Sequence, residues 1–320
     1  MKKALITGIT GFAGSHLAEL LLKEKLAVWG FHHPKHPTAN IARIQNHLKL
    51  LPCDLLKEKE VTKSVKIIKP DFIFHLAAAA SAAQSFKDPS AILQNNIEAQ
   101  INLLEAVAKY TPDARVLVIG SSEEYGEVED TSRPVTEGTA LKPHSPYAIS
   151  KVVQDLLGYQ YYLNRKLKIV RVRPFNHIGP RQAPDFVVPS FASQIAIIEK
   201  KGKGKIKVGN LGSWRDFTDV RDMVKAYFLA LSGKCSYGDV YNIGSGKAVQ
   251  IKEILQKLIS LSSAKIKVVV GKSRFRPVDT RKIICDYSKF TRATAWKPII
   301  KLDQTLSDTI DYERKRLQAN

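Results

Sequence analysis

Four residues near the middle of the chain have the types and spacing for proton chemistry beside a carbonyl group. Tyr147 and Lys151 are four apart, so on a helix they lie one above the other on a single face. An ammonium group near a phenol favours the phenolate and lowers the tyrosine pKa toward working pH. Such a tyrosine gives a proton to a carbonyl oxygen or takes one from an alcohol. Ser121 stands in Gly120-Ser-Ser-Glu-Glu-Tyr-Gly126, after the apolar run 115–119, where its hydroxyl can hold a substrate oxygen beside Tyr147. In an extended chain Ser121 and Glu123 share one side, and Ser122 and Glu124 the other. Glu123 is then either a base, which would let the site eliminate water, or a carboxylate on the solvent rim.

A second constellation opens the chain. Thr7-Gly8-Ile9-Thr10-Gly11-Phe12-Ala13-Gly14 follows an apolar strand and precedes a helical pattern. Glycines at this spacing permit a tight turn and let backbone N–H groups approach a pyrophosphate at a helix N-terminus. The next strand ends in Phe31-His32-His33-Pro34-Lys35-His36. An acid there would accept from a ribose hydroxyl; bases in its place lean toward NADP(H), with NAD(H) the alternative. No Cys, Asp or Glu accompanies these histidines, which makes a metal site a poor reading. Asp54, after the third strand, either reaches the adenine amino group or caps a helix.

The elements that must hold these residues follow from periodicity. Apolar strands are expected at 3–7, 27–31, 48–52, 71–76, 115–119 and 167–173. Helices are expected at 15–23, 61–68, 92–109 and 147–165. This alternation predicts an α/β fold: a doubly wound parallel sheet of Rossmann type over residues 1–175. Beyond it, helical spacing at 186–199, 222–231 and 251–261 and a strand at 265–270 predict a smaller mixed α/β C-terminal substrate lobe over 176–320. Part of the chain around 210–245 is expected to return to the first domain.

The chain has 320 residues, with 50 Lys and Arg against 30 Asp and Glu, a net charge of +20. That field attracts anions. The bases are dispersed, however, and the dense run 200–207 (KKGKGKIK) reads as a solvated loop rather than a nucleic-acid surface. Cys53, Cys235 and Cys285 form no paired spacing, which argues against a disulfide framework or structural zinc and fits a reducing cytoplasm. No apolar stretch is long enough for a membrane span, and the apolar N-terminal run is too short for a signal segment.

Together these motifs resemble the extended short-chain dehydrogenase/reductase superfamily of nucleotide-sugar enzymes. The likeness covers nearly the whole chain. It includes the glycine loop, His75-Leu76-Ala77-Ala78, Ser121-Ser-x-x-Tyr-Gly126, Tyr147-x-x-x-Lys151, Arg276-Pro277-x-Asp279 and Trp296-Lys297-Pro298. Within it, Phe175-Asn176-His177-Ile178-Gly179-Pro180 and Val208-Gly209-Asn210-Leu211 running into Arg215-Asp-Phe-Thr-Asp219 are similar to the GDP-4-keto-6-deoxyhexose reductases, with GDP-mannose 4,6-dehydratases next. His32-His33 and Arg181-Gln182-Ala183-Pro184 depart from the dehydratase pattern, whereas Glu123 matches it.

The resemblance implies a GDP-sugar substrate and a homodimer formed through the helices at 92–109 and 147–165. It implies that Gly8, Gly11, Phe12, Ala13 and Gly14 wrap a pyrophosphate and that His32, Asp54 and Leu55 serve the adenosine end. Leu76, Ala77, Ala78 and Asn96 would line the linker. Tyr147, Lys151 and Phe175 would lie at the nicotinamide. Ser85, Ser122, Asn176, Arg181, Val187, Asn210, Arg215 and Arg276 would hold the substrate. Arg215 could instead pair with Asp216 or Asp219, and His177 could be a core histidine.

Overall fold

The structure, a computed structural model, describes residues 1–35, 37–80, 82–271, 275 and 282–318. The first half alternates strand and helix: β1 (Lys3–Thr7), α1 (Phe12–Lys23), β2 (Ala27–His32), β3 (Lys49–Pro52), α2 (Glu58–Ile68), β4 (Phe72–His75), the short α3 (Ala82–Ser85), α4 (Pro89–Tyr110), β5 (Arg115–Ile119), α5 (Pro146–Arg165) and β6 (Lys168–Pro174). There follow β7 (Asn176–Ile178), α6 (Val187–Glu199), β8 (Lys203–Val208), β9 (Trp214–Asp219), α7 (Val220–Ser232), β10 (Val240–Ile243), β11 (Ala248–Gln250), α8 (Ile251–Ser260), β12 (Lys265–Val270), α9 (Ser288–Thr294) and α10 (Leu302–Gln318).

Seven strands form one parallel sheet in the order β10-β6-β5-β4-β1-β2-β3. Its central strands read as near-continuous apolar runs because helices cover both faces. Alternate residues feed two cores. Ala4, Ile6, Phe74 and Leu117 pack with α1 and α7. Leu5, Ile73, Val116 and Val118 pack with α2 and α4. The chain leaves β1 to build β2 and β3 on one side and returns to build β4 on the other. The sheet order therefore reverses beside β1, and ligands bind at the carboxyl edge of such a switch point. β10, from late in the chain, completes the far edge of this sheet.

A third core gathers Phe191, Ile195 and Ile198 of α6, Ile254, Leu255 and Leu258 of α8, and Leu306 and Ile310 of α10. Small sheets flank it: β11-β9-β7, and the parallel pair β12-β8. The lysine-rich run is therefore half strand. Lys203 pairs in register with Lys265, and Lys205 with Lys267. Two long helices have strong N-termini. Asp88 caps α4 by accepting from Ala91 N at 3.0 Å, and Ser145 caps α5 by accepting from Ala148 N at 3.1 Å; proline follows each cap, where its missing N–H costs nothing.

Candidate active site

Three turns meet at the carboxyl edge of the sheet. After β1 the chain passes through Gly8 with φ +70° and enters α1. A Cβ at Gly14 would stand 2.2 Å from the Gly8 carbonyl oxygen, and one at Gly8 would stand 2.9 Å from Ala77 Cα. Only hydrogen fits at either position. Gly11 is the N-cap of α1, and no side chain caps that end. The positive end of the helix is therefore available to an anion. Thr7 Oγ1 accepts from Ala77 N at 3.1 Å and bonds His75 Nδ1 at 2.9 Å, which fastens the end of β4 to the end of β1.

From this cradle a cavity of about 470 Å³ runs to the ends of β5 and α5. Its wall includes Gly8, Gly11, Phe12, Ala13, Gly14, Leu76, Ala78, Ser121, Ser122, Glu123, Tyr147, Lys151 and Phe175. The uncapped helix end, the glycine cradle and the elongated shape fit a dinucleotide with its pyrophosphate at α1.

Ser121 ends β5 in extended conformation, but the chain does not stay extended. Ser121 is the N-cap of a single 3-10 turn, Ser122–Glu124: its side chain accepts from Glu123 N at 3.1 Å and its N–H donates to Glu124 Oε1 at 2.7 Å. The turn puts Ser121, Ser122 and Glu123 together on the cavity wall and buries Glu124 completely. The strand-alternation expectation fails here because Ser-x-x-Glu closes a capping box.

Tyr147 and Lys151 occupy the first two turns of α5. Tyr147 is within hydrogen-bonding reach of the Ser121 side chain. Lys151 Nζ donates to Ile119 O at 2.9 Å and lies 6.0 Å from the Tyr147 ring centre. Burial raises the Tyr147 pKa; the Ser121 bond opposes this, and the charges of Glu123 and Glu124 add to it. Burial also pushes Lys151 down to about 8, against the charge of Glu124. The expected lowering of the phenol by Lys151 is not found: burial and the two carboxylates dominate, and Tyr147 is held protonated. His75 is pushed down to about 3, first by burial and then by Lys151.

A second cavity, of about 260 Å³, opens between β7, α6 and the start of β9. It shares Asn176, His177, Gln182 and Phe186 with the first, so the two meet at one wall. Val187, Lys207, Asn210, Ser213 and Arg215 also line it. Arg215 donates to Trp214 O at 2.7 Å. Asp216 accepts from Ser245, Gly246 and Cys285, and Asp219 is engaged by Arg221 and Thr305. Asn210 bonds Ser213 Oγ at 3.0 Å. Two cationic side chains and several amides around one cleft suit a phosphorylated ligand.

Comparison with known proteins agrees with this geometry. Residues 5–309 match the family model described as GDP-mannose 4,6 dehydratase. The chain belongs to the GDP-mannose 4,6 dehydratase family. It is 31% identical to GDP-6-deoxy-D-mannose reductase of Pseudomonas aeruginosa, over 98% of each chain. It is 30% identical to GDP-mannose 4,6 dehydratase 2 of Arabidopsis thaliana, over 98% of this chain and 87% of that one. Among solved structures, RMD from Pseudomonas aeruginosa complexed with NADPH superposes with a TM-score of 0.84 at 30% identity, covering 99% of this chain and all of that one. UDP-glucose 4-epimerase of Thermotoga maritima superposes at 0.89 with 27% identity, covering 98% and 99%. This member of the GDP-mannose 4,6 dehydratase family is an oxidoreductase-type enzyme with the reductase or dehydratase chemistry of nucleotide-sugar metabolism.

Not every residue singled out in the sequence lies on a cavity wall of this family member. His32 is half-buried at the end of β2, and its backbone oxygen accepts from Cys53 N. Asp54 Oδ1 accepts from Leu56 N at 3.1 Å, a local turn, and Leu55 packs on the second core. Ala77 acts through its backbone, as described for Thr7. Asn96 is fully buried and bonds the Ala79 backbone and Ser150 Oγ, so it pins the segment after β4 against α5. Ser85 Oγ donates to Ala82 O within α3. Arg181 lines the first cavity rather than the second, where it is ion-paired to Glu19 and bonded to His16 and Asn40 O. Arg276 and His36 lie outside the described residues. His177 lines both cavities and stacks on Phe12 at 5.7 Å and 9°. Sequence reasoning missed Lys207: in a run read as solvated loop, it sits on β8 and lines the second cavity. The alternation Lys203, Lys205, Lys207 was the available signal. Among the described residues no helix is long and apolar enough to cross a membrane, and no cluster suited to a metal ion is present.

Proposed function

We propose that this enzyme reduces the C4 ketone of GDP-4-keto-6-deoxy-D-mannose, yielding GDP-D-rhamnose, with NADPH preferred over NADH. The observation that carries this is a protonated Tyr147 on the wall of the first cavity, within hydrogen-bonding reach of Ser121 and beside Lys151. A bound reduced nicotinamide supplies the hydride. Ser121 holds the ketone oxygen, Tyr147 gives that oxygen its phenolic proton, and Lys151 stabilises the phenolate left behind. Asn176, Asn210, Arg215 and Lys207 hold the GDP moiety. NADPH is favoured by the absence of an acid at the end of β2 and by the NADPH complex of the Pseudomonas aeruginosa structure. The exposed apolar side chains Ile149, Leu156, Tyr159 and Leu163 of α5 support a homodimer. Three buried free thiols support a cytoplasmic setting.

One observation favours a second reading, a GDP-mannose 4,6-dehydratase: Glu123 shares the cavity wall with Ser121 and Tyr147, where it would take the C5 proton. Purified protein with NADPH and GDP-4-keto-6-deoxy-D-mannose separates the two. Loss of reduced-nicotinamide absorbance, with no keto sugar formed from GDP-mannose in a parallel tube with oxidised cofactor, is expected. Keto sugar in the second tube alone would overturn the reductase reading. Full reduction by Tyr147→Phe would overturn the assignment of the proton donor.

A further inference from the structure

Behind the Tyr147–Lys151 pair lies a buried carboxyl group that the reaction above does not use. Glu124 Oε1 accepts the Ser121 N–H and so completes the capping box that shapes the catalytic turn. Its Oε2 lies 2.9 Å from Arg173 Nε. That N–H is aimed at Asp155 Oδ2, 3.0 Å away, so Oε2 has a positive charge beside it but no aligned hydrogen bond. Gly120 admits the group, since a Cβ there would stand 2.2 Å from Oε1. The backbone on either side of Gly120 is engaged: Ile119 O by the Lys151 ammonium and Ser121 N by the Glu124 carboxyl group.

We propose that Glu124 is a positioning residue: its carboxyl group, seated against the bare Cα of Gly120, fixes the Ser121 backbone and sets the charge behind Lys151 and Tyr147. This rests on the reading of Ser121, Tyr147 and Lys151 as the proton-handling set. The groups that face it are Tyr147, Lys151 and Asp155 from α5, Arg173 from β6 with Arg171 beyond Asp155, and Glu123 and Tyr125 from its own turn. The Lys151 charge also reaches His75 at the end of β4, the strand beside β5. Burial and Asp155 push Glu124 up to about 8, with Arg173 and Lys151 opposing. Once ionised, Glu124 holds the proton on Lys151 and on Tyr147.

Glu124→Gln keeps an oxygen for Ser121 N and removes the charge. Trace acetylation across a pH series, read at Lys151 by peptide mass spectrometry with exposed Lys63 as the internal reference, reports the Lys151 titration without substrate or cofactor. In Glu124→Gln the Lys151 midpoint is expected to fall by about one pH unit, a tenfold change in proton affinity. Gly120→Ala, which displaces the same carboxyl group, should move it in the same direction and carries the test if Glu124→Gln does not fold. An unchanged Lys151 midpoint with only a lower melting temperature would overturn the proposal, because a bracing role alone moves stability and not titration. Where turnover is measurable, the alkaline limb of kcat/KM should move with Lys151. Because the labelling needs no reaction, a wrong choice of substrate leaves this result standing and shows itself as absent turnover in the unmutated enzyme.

Discussion

Replacing Asp155 by asparagine should cost this protein a large share of its stability. Asp155 is 1% exposed and sits between two arginines of β6. Oδ1 accepts from Arg171 at 2.9 Å, and Oδ2 accepts from both Nε and Nη2 of Arg173. Removing one partner of a buried pair strands the other charge, which typically costs ~3–5 kcal/mol. Summing three charge-assisted hydrogen bonds at ~1.5–3 kcal/mol each would give more. Asparagine keeps one acceptor and Glu124 remains beside Arg173, so the lower range is the better one. Against a whole-chain stability of ~5–15 kcal/mol, and at roughly 2 °C per kcal/mol for a chain of this size, the melting temperature should drop by about 6–10 °C. Asp113 gives the control. It pairs with Lys168 at 2.8 Å, as short a bond, but is 91% exposed, and its substitution should leave the melting curve unchanged. Differential scanning at one fixed rate, with Asp155→Asn and Asp113→Asn in parallel, decides. Equal, small shifts for both would refute the argument that burial rather than bond length sets the value of these pairs.

Gly14→Ala should weaken cofactor binding at least about tenfold while the chain still folds, because its Cβ meets the Gly8 carbonyl at 2.2 Å and displaces the first turn of α1; fluorescence titration with NADPH measures it. Stability should fall as pH drops below about 6.5, because burial lowers His75 to about 3 and His16 to about 4. In that window the unfolded chain binds protons that the native one does not, at up to ~1.4 kcal/mol per pH unit for each histidine. His75→Gln should flatten the slope between pH 6.5 and 4 in urea melts, and an unaltered slope would count against it. Leu156→Arg places a charge amid the apolar face of α5 and should leave monomers by sedimentation velocity with the far-ultraviolet spectrum intact.

The parallel sheet was legible because strands covered on both faces must be apolar in their interiors, and β1, β4 and β5 are, polar only at their ends. The glycine loop was legible for a related reason: Gly8 and Gly14 exclude a side chain and Gly11 leaves little room for one, and that spacing shows in the sequence. The Ser121 turn was misread although Ser-x-x-Glu at 121–124 is itself a capping signature. The strand beneath it drew the reading toward period two. β9 escaped because it buries Arg215, Asp216 and Asp219, whose side chains are hydrogen-bonded, and a strand with such residues inside does not alternate in hydropathy. Where Arg181 and Asn96 lie depended on tertiary partners, Glu19 and Ser150, that are distant along the chain.

The parallel pair β8 and β12 bears on how far this molecule resists edge-to-edge aggregation. Each strand has an open edge among the described residues, and edges of that kind recruit other strands. Here lysines stand opposite lysines, Lys203 by Lys265 and Lys205 by Lys267, a repulsion the fold tolerates within the pair and that an approaching second ribbon would double. Dilute buffer preserves that barrier. Molar salt, with a screening length of about 3 Å, removes it, so the colloidal stability of this protein should decline with ionic strength even where its fold does not.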